Sequence, residues 1–157
     1  MSQTGLCLED LTVGRVSERL HTVEEGDLVA FAAVSGDRNP VHLDEAYAAN
    51  TAFKGRIAHG MLSAAYISAV LGMDLPGPGS IYLSQTLSFK RPVRIGDTVL
   101  TRATVVAIDG LKARVTLKTE CLVAGKAVVD GEAVVMVPRR AVAAPPAAAA
   151  PPIAEAV

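Results

Sequence analysis

The sequence predicts a single α+β domain in which an antiparallel sheet wraps one long central helix, and three observations carry that prediction. The run from Gly60 to Met73 is apolar nearly all round, as in a helix buried on most sides. Four later stretches carry apolar residues in strand-like runs, with alternation clearest in the first and third, and short turns between them make neighbours antiparallel. Half of the 157 residues are apolar, yet there are only three Tyr, three Phe and no Trp, so Val, Leu, Ile and Ala must build the core, and their β-branched share favours a sheet.

Taken in order, Thr22-Val-Glu-Glu25 has the spacing of a capping box, and the residues after it place Leu28, Phe31, Ala32 and Val34 on the apolar face of a short helix that Gly36 stops. Gly36-Asp-Arg-Asn-Pro40 is loop, because Pro40 pushes Asn39 out of the helical region. Asp44 caps a second short helix over Glu45 to Ala49. The central helix is about 20 Å long at roughly 1.5 Å per residue, and Gly72 with Pro76-Gly-Pro-Gly79 ends it. Strands follow over Ile81 to Lys90, Thr98 to Ile108, Leu111 to Val123 and Lys126 to Val137, with turns at Asp109-Gly110 and Ala124-Gly125. Ala113, Val115 and Leu117 face away from Arg114, Thr116 and Lys118, so one sheet face is covered and the other wet. After Arg140 the chain is almost wholly Ala and Pro and holds four of the nine prolines. The expected organisation is therefore one domain over 1–139 and an Ala/Pro-rich disordered tail or linker over 140–157.

Net charge is −1 and no run of like charge exceeds a pair, so the basic face of a nucleic-acid binder is missing. The longest apolar stretch falls short of the roughly 20 residues a spanning helix needs, and the N-terminus lacks a signal pattern, so no membrane partner is expected. Cys7 and Cys121 stand far apart without a CxxC, as reduced structural thiols of a cytoplasmic protein do. The three histidines are well separated in sequence, and no metal site is expected.

Chemistry concentrates in Ser35-Gly-Asp-Arg-Asn-Pro-Val-His42 and Ala58-His-Gly-Met61. Alone, Asp37 is a turn former and His42 a packed imidazole. Five apart on a regular helix they point about 140° away from each other, so only a loop brings them together, and the Asn39-Pro40 bend supplies one. A carboxylate and an imidazole so placed can hold one water, which is what hydration of an activated double bond needs. Gly60, opening the central helix, offers an exposed amide N–H to a developing oxyanion. His59 beside it organises the loop in the first reading and touches substrate in the second. Lys54, Arg56, Lys90 and Arg91 could meet phosphates, although scattered surface cations are the default. His21 is expected at the surface.

The stretch Ser35 to His42, together with Ala48, resembles the hydratase-2 motif of MaoC-like proteins. Ala58-His-Gly-Met61, Gly79-Ser-Ile-Tyr82 and Leu87-Ser-Phe-Lys-Arg-Pro-Val93 with Gly96-Asp97 are also similar to short (R)-specific enoyl-CoA hydratases that supply monomer for polyhydroxyalkanoate synthesis. The resemblance implies a single hotdog fold, a homodimer, and an acyl-CoA thioester substrate with CoA as its only cofactor-like part. It further implies that Asp37 and His42 activate the water, that Ser68 supports His42 and that Gly60 provides the oxyanion amide; Asn39 is read beside them as a supporting residue, and His59, Lys90 and Arg91 as candidate substrate contacts from their positions alone. The rivals are an acyl-carrier-protein 3-hydroxyacyl dehydratase or a thioesterase, whose sites ask for a carboxylate on the central helix, and a non-catalytic acyl-CoA-binding or assembly module. Gly60 to Met73 has no carboxylate.

Overall fold

The computed structural model describes residues 5–140, so the tail expected beyond Arg140 lies outside the described residues. Strand β1 (Val16–Thr22) is followed by helices α1 (Glu25–Ser35), α2 (Pro40–Leu43), α3 (Glu45–Ala49) and α4 (Gly60–Met73), then by strands β2 (Ile81–Phe89), β3 (Thr98–Asp109), β4 (Arg114–Val123) and β5 (Lys126–Met136). The strands form one antiparallel sheet in the order β1-β3-β4-β5-β2.

The sheet curves around α4. Register slips between Val105 and Ala107 and between Cys121 and Leu122 insert bulges, which increase local bend and twist. On the concave side Leu62, Ile67, Val70 and Leu71 of α4 join one core with Val99, Val105, Val115, Leu117 and Val129 of the sheet. Gly131 lets β2 close on β5, since a Cβ there would lie 1.8 Å from the Thr86 carbonyl oxygen.

Four expectations need correction. The central helix is not covered all round: Met61 and Met73 are 54% and 51% exposed, because a single five-stranded sheet can cover only one side of it. The α1 cap is Glu24, whose backbone N–H donates to Asp27 Oδ2 at 2.8 Å, and not Thr22. Thr22 instead ends β1, which was not expected as a strand, and its hydroxyl meets that of Thr98 at 2.9 Å. Strand β4 starts at Arg114, not Leu111. The Asp109 carboxylate accepts from the backbone of Leu111 and Lys112, and Ala113 takes a left-handed φ of 52°, so these residues form the turn.

No helix among the described residues is long and apolar enough to cross a membrane. Cys7 and Cys121 are both free. Burial pushes the Cys121 thiol up to about 11, partly offset by a hydrogen bond with Thr101, which leaves it an inert core group. His21 is exposed on β1, as expected.

Candidate active site

The loop after α1 is built from its own short polar side chains. Gly36 ends the helix at φ 78°, a left-handed conformation suited to glycine. Ser35 Oγ donates to the Phe31 carbonyl at 2.6 Å and accepts the Asp37 N–H at 3.1 Å. Asp37 Oδ1 in turn accepts the Asn39 N–H, and Asn39 Oδ1 accepts the Val41 N–H, both at 3.1 Å. The second bond makes Asn39 the N-cap of α2, with Pro40 at the first helical position, where its missing N–H costs nothing. This one-turn helix was not anticipated. It carries His42 inward, where the residue is buried and its Nδ1 lies 2.8 Å from the Ile57 carbonyl oxygen.

That bond assigns the tautomer. A carbonyl only accepts, so Nδ1 carries the proton and a neutral His42 turns an unprotonated Nε2 outward. The same reasoning applies to His59, just before α4, whose Nε2 donates to the Asp37 backbone carbonyl at 3.0 Å. The two rings stack with centroids 3.9 Å apart and planes at 33°, and Phe31 backs His59 at 5.0 Å.

Asp37, exposed, thus meets two buried imidazoles, and one polar side-chain atom from each of the three residues lies within 4.8 Å of the others. The cluster presents one carboxylate and two imidazoles, donor types that a metal ion as well as a water can use. It suits a water held by Asp37 and His42.

Gly60 opens α4 at the same place, and its N–H, in the first turn, has no acceptor within the helix. A Cβ on Gly60 would sit 2.9 Å from Phe89 Cε1, so any side chain there would have to displace the Phe89 ring. A cavity of about 290 Å³ begins here, with His42, Ile57, Ser63 and Val129 in its wall, and a neighbouring groove holds Asp37 and Met61. Gly60, His59 and Phe89 border both.

The remaining candidates separate. Lys90 and Arg91 border the cavity, Lys90 paired with Asp130 at 3.4 Å and Arg91 Nη1 donating to the Ala127 carbonyl at 2.6 Å. Arg56 is already engaged by Glu25 and Glu45, and it holds the Glu25 carboxyl below the usual range. Ser68 does not support His42 within the chain, because it lies on the exposed face of α4 while the Ile57 carbonyl holds the imidazole. The serine that reaches the cavity is Ser63, buried in register with Ile67 and Val70, and that helical spacing was the available signal.

Residues 12–136 match the family model described as the MaoC like domain. The chain is 55% identical over 130 residues to an (R)-specific enoyl-CoA hydratase of Rhodospirillum rubrum, covering 83% of this chain and 90% of that one. It is 48% identical over 134 residues to a 3-hydroxybutyryl-CoA dehydratase of Methylorubrum extorquens, covering 85% of each. Among solved structures it is similar to the R-hydratase PhaJ1 of Pseudomonas aeruginosa, with a TM-score of 0.82, 49% identity, and coverage of 93% of this chain and 97% of that one.

Proposed function

The chain belongs to the MaoC-like family, and from that premise we propose that it is an (R)-specific enoyl-CoA hydratase, adding water to a trans-2-enoyl-CoA to give the (R)-3-hydroxyacyl-CoA and catalysing the reverse dehydration. The observation that carries the reading is the convergence of the Asp37 carboxylate, the inward His42 and the Gly60 amide beside one cavity.

The Asp37 carboxylate and His42 Nε2 are both acceptors, so together they grip the two O–H bonds of one water and leave its oxygen lone pairs free. That oxygen attacks the β-carbon of the enoyl thioester, and the electron pair of the double bond moves toward the thioester carbonyl. The Gly60 N–H, with the α4 dipole behind it, stabilises the resulting enolate oxygen, a contribution of about 10²–10³-fold for one such donor. A proton from the water passes to the Asp37–His42 pair and on to the α-carbon. His42 carries it well, because its Nδ1–H rests on the Ile57 carbonyl. Water arrives from one fixed side while the carbonyl is held on the other, so a single face of the alkene reacts. The reaction requires no metal and no cofactor beyond the CoA of the substrate. Since α4 has no carboxylate, acid–base work falls to the loop, which favours hydration over thioester hydrolysis. The active form is a pair of chains, and two free cysteines fit a reducing cytoplasm.

The test follows enoyl-thioester absorbance with crotonyl-CoA and octenoyl-CoA and determines the product's chirality. Asp37→Asn and His42→Ala each lower kcat by at least about 100-fold while remaining folded, and the wild type yields the (R)-alcohol. A wild type that hydrates neither substrate, or variants that keep full activity, would overturn the reading.

A further inference from the structure

Resting on the hydratase reading, we propose that His59 is a positioning residue that holds both catalytic groups at once, Asp37 through its backbone and His42 through its ring. His59 is 2% exposed and contacts the two groups through different parts of one imidazole. Its Nε2–H donates to the Asp37 carbonyl at 3.0 Å, which ties down the loop bearing the carboxylate. Its face lies against His42 at 3.9 Å, which restricts rotation of the imidazole that the Ile57 carbonyl holds by one edge only. Its main chain leads directly into Gly60, so the amide at the start of α4 is tied to the same residue.

A purely structural role explains the residue poorly. Nδ1 of His59 is buried and has no hydrogen-bond partner among the described residues, a cost that phenylalanine, with no polar atom, would avoid. Glutamine could donate to the Asp37 carbonyl but presents no ring to His42. Phenylalanine could stack but cannot donate. Only a side chain that is both a flat ring and an N–H donor does both, and tethering the two groups is useful because reacting groups displaced by about 1 Å can lose 10²-fold in rate.

Two experiments test this. Nitrogen-15 NMR of the wild-type imidazoles is expected to find His59 protonated at Nε2 and bare at Nδ1, and finding the opposite tautomer overturns the proposal without any variant. His59→Gln and His59→Phe are expected to lower kcat on crotonyl-CoA by about 10–100-fold while KM stays within about threefold, with His59→Ala falling below both because it loses donor and ring together. Unchanged kcat in folded variants, or a loss confined to KM, overturns it. Should the wild type prove inactive on every enoyl thioester, the hydratase reading fails. The positioning role is then decided by whether His59→Phe moves the Asp37 and Arg38 amide signals and His59→Gln the His42 ring signals, unmoved signals overturning it.

Discussion

Asp37 and His42 were singled out from the Asn39-Pro40 bend that lets them meet, together with the resemblance of Ser35 to His42 to the hydratase-2 motif. Their partners were less legible. The Ile57 carbonyl that sets the tautomer of His42 is a backbone atom and leaves no trace in residue type. Ser68 and Ser63 lie five apart on one helix, about 140° around its axis, so choosing between them required knowing which face the sheet covers. Gly60 can be tested directly. The nearest atoms to an added Cβ belong to the Phe89 ring, which is 54% exposed and free to swing aside, so Gly60→Ala should change stability by no more than about 1 kcal/mol. The methyl and the displaced ring nonetheless stand where cavity and groove meet, beside the amide proposed to receive the carbonyl oxygen. A fall of about 10–100-fold in kcat/KM at near-constant unfolding free energy is the expected result, and unchanged kinetics would remove Gly60 from the site.

Helix α1 leads into the loop that bears Asp37, and its start depends on one carboxylate. Asp27 accepts the Glu24 N–H and a bond from His21 Nε2, each at 2.8 Å. Burial raises its pKa, but the Glu24 N–H and His21 outweigh that and hold it below the ordinary value. A depressed folded-state pKa contributes stability that is complete above the unfolded value near 4 and is lost as pH falls through the lower folded value. Asp27→Asn should therefore cost about 1 kcal/mol at neutral pH, and the gap between variant and wild type should close as denaturation is repeated below about pH 4. A gap that persists in acid would mean that Asp27 acts through packing. The elements that escaped sequence reasoning share a physical reason. Almost every β1 side chain is exposed, so the strand has no apolar alternation, and it is held by the β3 ladder and by cross-strand pairs such as Glu18 with Arg102 at 2.6 Å. Helix α2 is a single turn, too short for any periodicity to register. The strands β3 to β5 and the whole of α4 were legible because each buries a repeating face, and β2 through its apolar alternation, although its side chains stay largely exposed in the single chain.

At the scale of the whole molecule, the outward side of α4 decides how the chain must live. Met61 is 54% exposed, and Ala65, Ser68 and Gly72 continue the same helical face with small side chains that permit close approach. Strand β2 is a sheet edge, with Ile81, Leu83 and Phe89 at 52%, 42% and 54% exposure. Close approach of Phe89 to Gly60 makes the strand end and the helix start one continuous patch. Lone soluble chains seldom leave such a patch or an apolar edge uncovered. A second copy related by a two-fold axis would cover both, and the groove containing Asp37 shares Met61 with the patch, so pairing and catalysis should be linked. Sedimentation should find twice the chain mass. Met61→Glu combined with Leu83→Glu should shift the population toward single chains, with hydration rate falling in step with the paired fraction. A wild type that sediments at the mass of one chain while fully active would show that the exposed face serves some other contact and that one copy completes the site.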